Sequence, residues 1–268
     1  MIKIENLYFN FSNHFNLTIE RLEIKEGEIF VIIGPNGAGK STLLNIIALF
    51  EKPKSGKIEI LGKELSKLNN HDKLELRRKM AFIFPIPYLL SDTVYNNIYL
   101  PLKLRNIRDD NQVDKILNFF KIKHINNDHI SLSQGEKQRV ILARAFITNP
   151  RLILLDEPFS NLDKQYKEPL ISDLYKIIKE NKTTVIFVTQ NQQEALALAD
   201  TIAVMKDGKI LQQGNPEEIF TKPASKEIAD FIGIETIVEG IIIKKQDNLC
   251  FIKVQDKILE AISEYNED

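Results

Sequence analysis

The sequence predicts an α/β fold: a parallel sheet covered by helices, with a helical insertion before its later strands and a small β-rich appendage at the carboxyl end. Three observations predict it. Short apolar runs such as Ile29–Ile33 and Leu152–Leu155 alternate with stretches of helical periodicity. One of these runs leads through a glycine-rich loop directly into a helix. Beyond Lys222-Pro223 helical spacing gives way to β-branched residues.

Taken in order, the amino terminus MIKIENLYF alternates apolar and polar residues as a strand does and lacks the charged-then-apolar layout of a secretory signal. Phe15, Leu17, Ile19, Leu22 and Ile24 continue the alternation up to the buried run Ile29–Ile33. Lys40 to Phe50 carries Leu43, Leu44, Ile47 and Ala48 at helical spacing, and the PKSG turn at Pro53 to Gly56 stops it. Lys57 to Leu61 and Met80 to Phe84 read as strands, after which Pro85 and Pro87 open a loop. From Thr93 to Pro150 apolar faces recur at Val113, Ile116, Leu117 and Phe120 and at Val140, Ile141 and Ala145, which is helical throughout. Alternation resumes with strand Arg151–Leu155, helix Lys164–Lys179, strand Thr183–Val188, helix Gln192–Ala199 and a hairpin turning at Asp207-Gly208. A short helix, Ser225 to Ile232, then precedes Thr236 to Val254, split by a turn at Gln246 to Asn248. The expected organisation is a main domain over 1–232, its helical part at about 85–150, and an appendage over 233–268.

Composition narrows the function classes. Of 268 residues 43% are hydrophobic and 27% charged with a formal net charge of -1, so no basic excess points to nucleic acid. The apolar runs fall far short of the ~20 residues that span a bilayer, and the chain reads as cytoplasmic. The single cysteine, Cys250, excludes an internal disulfide and reads as a buried small hydrophobe. The four histidines lie at no metal-ligand spacing.

Gly34-Pro35-Asn36-Gly37-Ala38-Gly39-Lys40-Ser41 fits GxxxxGK[ST], followed by Thr42. A loop of this kind turns its backbone N–H groups inward around phosphates, with the helix amino terminus adding positive potential. Lys40 is expected to reach the β- and γ-phosphates and Ser41 to ligate Mg2+. The strand LILL delivers two carboxylates, Asp156 and Glu157, at its end. Beside a phosphate loop, Asp156 is expected to hold Mg2+ and Glu157 to orient or deprotonate the attacking water. LSQGEKQR, Leu132 to Arg139, opens a helix with Ser133 as cap and Glu136 three residues on, a capping box when read alone.

In this order the motifs resemble those of the ATP-binding cassette subunits of transporters, over a span from Ile2 to about Ile232. The phosphate loop is GPNGAGKST, the LSGGQ signature is similar to LSQGE here, and Ser160 to Asp163 resembles the D-loop. The resemblance implies a P-loop NTPase core that binds ATP with Mg2+ and hydrolyses it as a head-to-tail homodimer. In it Ser133, Gln134 and Gly135 of one subunit would close over the γ-phosphate held by Gly34 to Thr42 of the other, with Asp163 nearby. It also implies integral membrane permease subunits as partners, so that the chain works peripherally at the inner face of the cell membrane. An amino-terminal aromatic stacks on adenine in this family; counting back from Glu26-Gly27 favours Phe11, with Phe9 and Phe15 as alternatives.

Two positions depart from the family pattern. Pro85 occupies the Q-loop position and offers neither an amide oxygen nor a backbone N–H. Gln190 stands where a switch histidine is usual; it can donate a hydrogen bond but cannot carry a proton. Both departures bear on turnover and leave the residues expected to bind ATP intact. EKPKSGKIEILG, TVYNNIYLPLKLR and FIGIETIVEGII resemble the ATPase subunits of tungstate and molybdate importers, although the appendage is shorter than their usual β domain. The rival expectations are a soluble cassette ATPase not coupled to transport and a slow nucleotide-sensing regulatory module.

Overall fold

The structure, a computed structural model, describes residues 1–12, 15–86, 88–123, 132–246 and 249–262. Period-2 alternation makes β1 (Ile2–Ser12) and β2 (Phe15–Ile24) an antiparallel pair whose inward residues, among them Ile4, Leu7, Leu17 and Ile19, are buried. β3 (Ile29–Ile33) is buried at every position, and the glycine loop delivers it into α1 (Lys40–Ile47). β4 (Ser55–Ile60), β5 (Lys63–Glu64), α2 (Asn70–Arg78) and β6 (Met80–Ile83) follow. Three helices come next: α3 (Val94–Lys103), α4 (Asp110–Phe119) and α5 (Gln134–Phe146). Then the chain alternates through β7 (Leu152–Asp156), α6 (Lys164–Asn181), β8 (Thr184–Thr189), α7 (Gln192–Leu198), β9 (Thr201–Lys206), β10 (Lys209–Gly214) and α8 (Pro216–Thr221).

These strands form two sheets. The larger has the order β10-β9-β3-β8-β7-β6 and is parallel except for the β9–β10 hairpin. The second, β2-β1-β4-β5, is antiparallel, so the amino-terminal strands stand apart from the parallel sheet they lead into. One apolar cluster joins them: Ile4, Leu7 and Ile19 from the antiparallel sheet, Leu43, Leu44 and Ile47 of α1, and Phe30, Leu154 and Ile186 of the parallel sheet. The Asp207-Gly208 turn locks the arrangement further, since Gly208 donates to the Ala38 carbonyl of the phosphate loop (3.0 Å) and accepts from Thr18 N–H (2.8 Å). A Cβ at Gly208 would lie 1.9 Å from the Asn16 carbonyl oxygen, so only glycine fits.

The chain divides into two compact units, Met1–Ala224 and Ser225–Asp268. The change of character at Lys222-Pro223 marks the division, and the helix α9 (Lys226–Phe231) goes with the appendage rather than with the main unit as the 232/233 boundary has it. The smaller unit continues with the antiparallel sheet β11 (Ile241–Gln246), β12 (Leu249–Val254) and β13 (Lys257–Ile262). Cys250 is free and buried in it. Among the described residues no helix is long and apolar enough to cross a membrane.

Candidate active site

Parallel pairing brings three strand ends to one edge. Ile33 at the end of β3 pairs with Thr189 at the end of β8, and Asp156 at the end of β7 pairs with Val188. The segments that leave these strands must meet outside the carboxyl end of the sheet, where open α/β folds bind their ligands. The glycine loop leaves β3, Glu157 leaves β7 and Gln190 leaves β8.

The loop leaves no space at its first glycine: a Cβ on Gly34 would lie 2.0 Å from the Met205 carbonyl oxygen of β9. Gly39, the residue before α1, has a left-handed φ of 98°, and the Phe15 ring lies 2.7 Å from where its Cβ would be. The first N–H groups of α1 have no partner inside the helix and face this turn, which makes a ready site for an anion. Lys40 is only 5% exposed and its ammonium donates to the carbonyls of Gly34 (2.8 Å) and Pro35 (2.9 Å). Burial lowers its pKa, opposed by the charges of Glu157 and Asp156.

Ser41 Oγ donates to Asp156 Oδ1 at 2.9 Å. Burial pushes the Asp156 carboxyl up, the Ser41 hydrogen bond opposes that, the Glu157 charge adds to it, and Lys40 opposes it. A buried carboxylate beside a second carboxylate is a position where a divalent cation relieves the local charge. Glu157 is held with φ 45°, in the left-handed region, while its N–H donates to the Val188 carbonyl at 2.9 Å. Its carboxylate lies 3.8 Å from the Lys40 ammonium. Gln190 completes the group, its Nε2 donating to Glu157 Oε1 (2.9 Å) and to Asn36 Oδ1 (2.7 Å). Two carboxylates, a buried ammonium, a hydroxyl and an amide donor thus converge on the glycine turn before α1, a set suited to phosphoryl chemistry.

The comparisons agree on what kind of protein this is. Residues 17–160 match the family model described as ABC transporter. The chain belongs to that family. This ABC ATPase is 37% identical over 246 residues to the spermidine/putrescine import ATP-binding protein PotA of Borreliella afzelii, covering 90% of this chain and 70% of the relative. It is 38% identical over 249 residues to the molybdate/tungstate import ATP-binding protein WtpC of Pyrococcus horikoshii, again 90% and 70%. Among solved structures, a dimeric post-hydrolysis state of the ATP-binding cassette MJ0796 bound to ADP and Pi superposes with a TM-score of 0.69 at 31% identity, over 81% of this chain and 99% of that one. The cassette cbiO1 from Clostridium perfringens, part of the transporter complex cbiONQ, gives 0.76 at 30%, over 87% and 94%.

The remaining residues expected from the sequence have the following surroundings. Gly37 and Ala38 complete the loop, and Thr42 sits in the first turn of α1. Ser133 caps α5, and its hydroxyl serves its own helix: it accepts from Glu136 N–H (3.3 Å) and donates to Glu136 Oε2 (2.7 Å). Gln134 beside it is exposed and Gly135 is buried against the Tyr166 ring of α6. Asp163 precedes α6 without capping it through its side chain. Pro85 lies two residues beyond β6, its carbonyl accepting from Asn161 Nδ2 at 3.4 Å. Of the three aromatic candidates, Phe9 is buried in the core, Phe15 packs on the phosphate loop, and Phe11 falls at the β-bulge between Asn10 and Ser12, its side chain outside the described residues. Sequence reasoning missed Thr189, Glu194 and Lys167, which stand directly behind Gln190.

Proposed function

We propose that this ABC ATPase energises an importer, binding Mg-ATP at the ends of β3, β7 and β8 and hydrolysing it in a head-to-tail homodimer. The observation that carries the site assignment is the Asn36–Gln190–Glu157 hydrogen-bonded set beside Lys40, Ser41 and Asp156. Gly34 to Thr42 hold the phosphates, and Phe11 is the residue assigned to the adenine. Lys40 exchanges its carbonyl partners for phosphate oxygens. Ser41 and Asp156 hold Mg2+, which when bound neutralises charge on the phosphates. Glu157 accepts a proton from the attacking water or orients it, and Gln190 fixes the carboxylate and donates toward the γ-phosphate. The partner copy supplies Ser133, Gln134 and Gly135 at a second helix amino terminus, together with the Asp163 region. A dimeric, ADP- and Pi-bound cassette among its structural relatives supports a dimer as the working form.

A membrane permease is the second partner, which would place the chain at the cytoplasmic face of the membrane. Phe50, Phe82 and Phe84 form an aromatic group beside Pro85, with centroids 4.4 to 6.1 Å apart. Phe50 and Phe84 are half exposed, and Ile86 and Tyr88 just beyond them in the chain are exposed as well, apolar side chains that a partner could cover. Relatives that import molybdate or tungstate and relatives that import polyamines are about equally similar, and the resemblance of FIGIETIVEGII favours an oxyanion. Co-purification from membranes followed by uptake in vesicles tests this: molybdate or tungstate should enter with ATP, and uptake of spermidine instead would overturn the cargo assignment. A nucleotide-sensing module is the second reading, favoured by Pro85 and Gln190. Absence of hydrolysis in single turnover would select it.

A further inference from the structure

The end of β8 is held from behind by a buried polar group outside the phosphate site. Glu194, on α7, is 3% exposed, and both its carboxylate oxygens are used. Oε2 accepts from the Thr189 hydroxyl at 2.6 Å, and Oε1 accepts from the Lys167 ammonium of α6 at 2.8 Å. Thr189 is 3% exposed and is the residue immediately before Gln190. Its hydroxyl oxygen also accepts from Asn191 N–H (3.0 Å), so the same atom fixes the backbone on both sides of Gln190. Asn191 in turn caps α7 by accepting from Gln193 and Glu194 N–H groups. A carboxylate removed from water and left with one partner would be costly. Here an ammonium and a hydroxyl satisfy it, so the arrangement is rigid rather than strained.

We infer that Glu194 is a positioning residue for hydrolysis: it clamps Thr189 to Lys167, and thereby fixes the direction in which Gln190 presents its amide to Glu157 and Asn36. The inference rests on the proposed role of Gln190 at the γ-phosphate. It adds a link to α6, which begins at the D-loop and carries Tyr166, whose ring lies 3.5 Å from where a Cβ of Gly135 would be. Lys167 is therefore the neighbour of a residue that touches the signature turn. A shift of α6 against α5 would reach Glu194 through the ion pair and the Gln190 amide through Thr189. Glu194 touches neither nucleotide nor water in this scheme and acts only through Gln190.

That last property makes the inference testable by a double-mutant cycle. Thr189→Val removes the hydroxyl and keeps the shape; Thr189→Ser restores the hydroxyl. Thr189→Val should lower kcat about 3- to 30-fold, the range found for substitutions along coupling networks. KM for ATP should stay within about twofold, and Thr189→Ser should recover most of the rate. In a Gln190→Ala background Thr189→Val should slow hydrolysis no further. Glu194→Gln, which keeps the shape but removes the charge that pairs with Lys167, should give a loss of the same kind, and it serves as the test if Thr189→Val does not fold. A normal kcat in both variants, or a loss that multiplies with that of Gln190→Ala, would overturn the role of Glu194 while leaving Gln190 in place. A normal rate in Gln190→Ala alone would overturn the reading of Gln190, and this inference with it.

Discussion

Replacing Gln190 by alanine removes one nitrogen that donates twice, to Glu157 Oε1 at 2.9 Å and to Asn36 Oδ1 at 2.7 Å. Two magnitudes bracket the effect. If Gln190 only orients Glu157, the loss is one hydrogen bond to a charged group, at most about 1.5–3 kcal/mol and less at a side chain open to solvent. The rate then falls roughly tenfold, since ~1.4 kcal/mol is a factor of ten. If the amide also faces charge developing on the γ-phosphate, the loss of that donor costs about 2.7–4 kcal/mol, or ~100–1000-fold. Because the same nitrogen bridges the phosphate loop and the proposed base, the larger value is expected, with ATP affinity changed little. Gln190→His keeps a donor and adds a proton carrier, so it should match or exceed the parent. Steady-state ATPase rates at saturating Mg-ATP decide the matter. Equal rates for parent, Ala and His would refute the placement of Gln190 toward the γ-phosphate.

Glu157→Gln should slow hydrolysis far more than it weakens ATP binding, and ATP-dependent dimers should accumulate on size exclusion; activity equal to the parent would move the base elsewhere. Ser133→Arg should bind ATP as a monomer yet fail to dimerise, whereas Ser133→Ala, which removes the cap and one hydroxyl contact but adds no bulk, should still dimerise after a stability loss of about 0.5–2 kcal/mol. Asp173 of α6 accepts from Arg139 at 2.7 Å and from Lys121 at 3.2 Å. Burial alone would raise its pKa, but these two cations outweigh that and hold the carboxyl below its ordinary value of 3.8. Its contribution to stability is therefore fully present above pH ~3.8 and lost as pH falls through the lowered value. Asp173→Asn should cost about 1.5–3 kcal/mol near neutral pH. The gap between parent and variant in thermal melts should close in acid, and a constant gap would contradict the ion pair.

The phosphate loop and the carboxylate pair were legible in the sequence because each is local: a loop between a strand and a helix, and a strand end. Gln190 was legible because it follows a strand of the same kind. Its partners were not, since Asn36 lies 154 residues away and only the strand order β3-β8-β7 brings them together. The clamp behind it escaped for a related reason. Glu194 reads as an ordinary polar residue early in an amphipathic helix, and nothing in its neighbourhood announces that it is buried against Lys167 of another helix. The helix α2 was missed because Leu76 is its one buried residue, too little for a periodic signal. Two helices read from spacing end earlier than expected, α1 at Ile47 rather than Phe50 and α7 at Leu198 rather than Ala199, because apolar spacing runs on past the last helical residue. That β1 and β2 stand in a separate antiparallel sheet is a matter of hydrogen-bond partners, about which alternation of side chains is silent.

The left-handed backbone at Glu157 has a bearing on how this position can vary. At φ 45° the residue occupies a conformation that Asn and Asp visit readily and that β-branched side chains strongly resist. A saturation library here would therefore sort its members twice. Glycine, asparagine and aspartate would yield folded proteins that differ in chemistry alone. Valine, isoleucine and threonine would first distort the turn that ties β7 to β8 through the Glu157 N–H and the Val188 carbonyl. An inactive variant from the second group would report a bent strand end, and only the first group speaks to the proton.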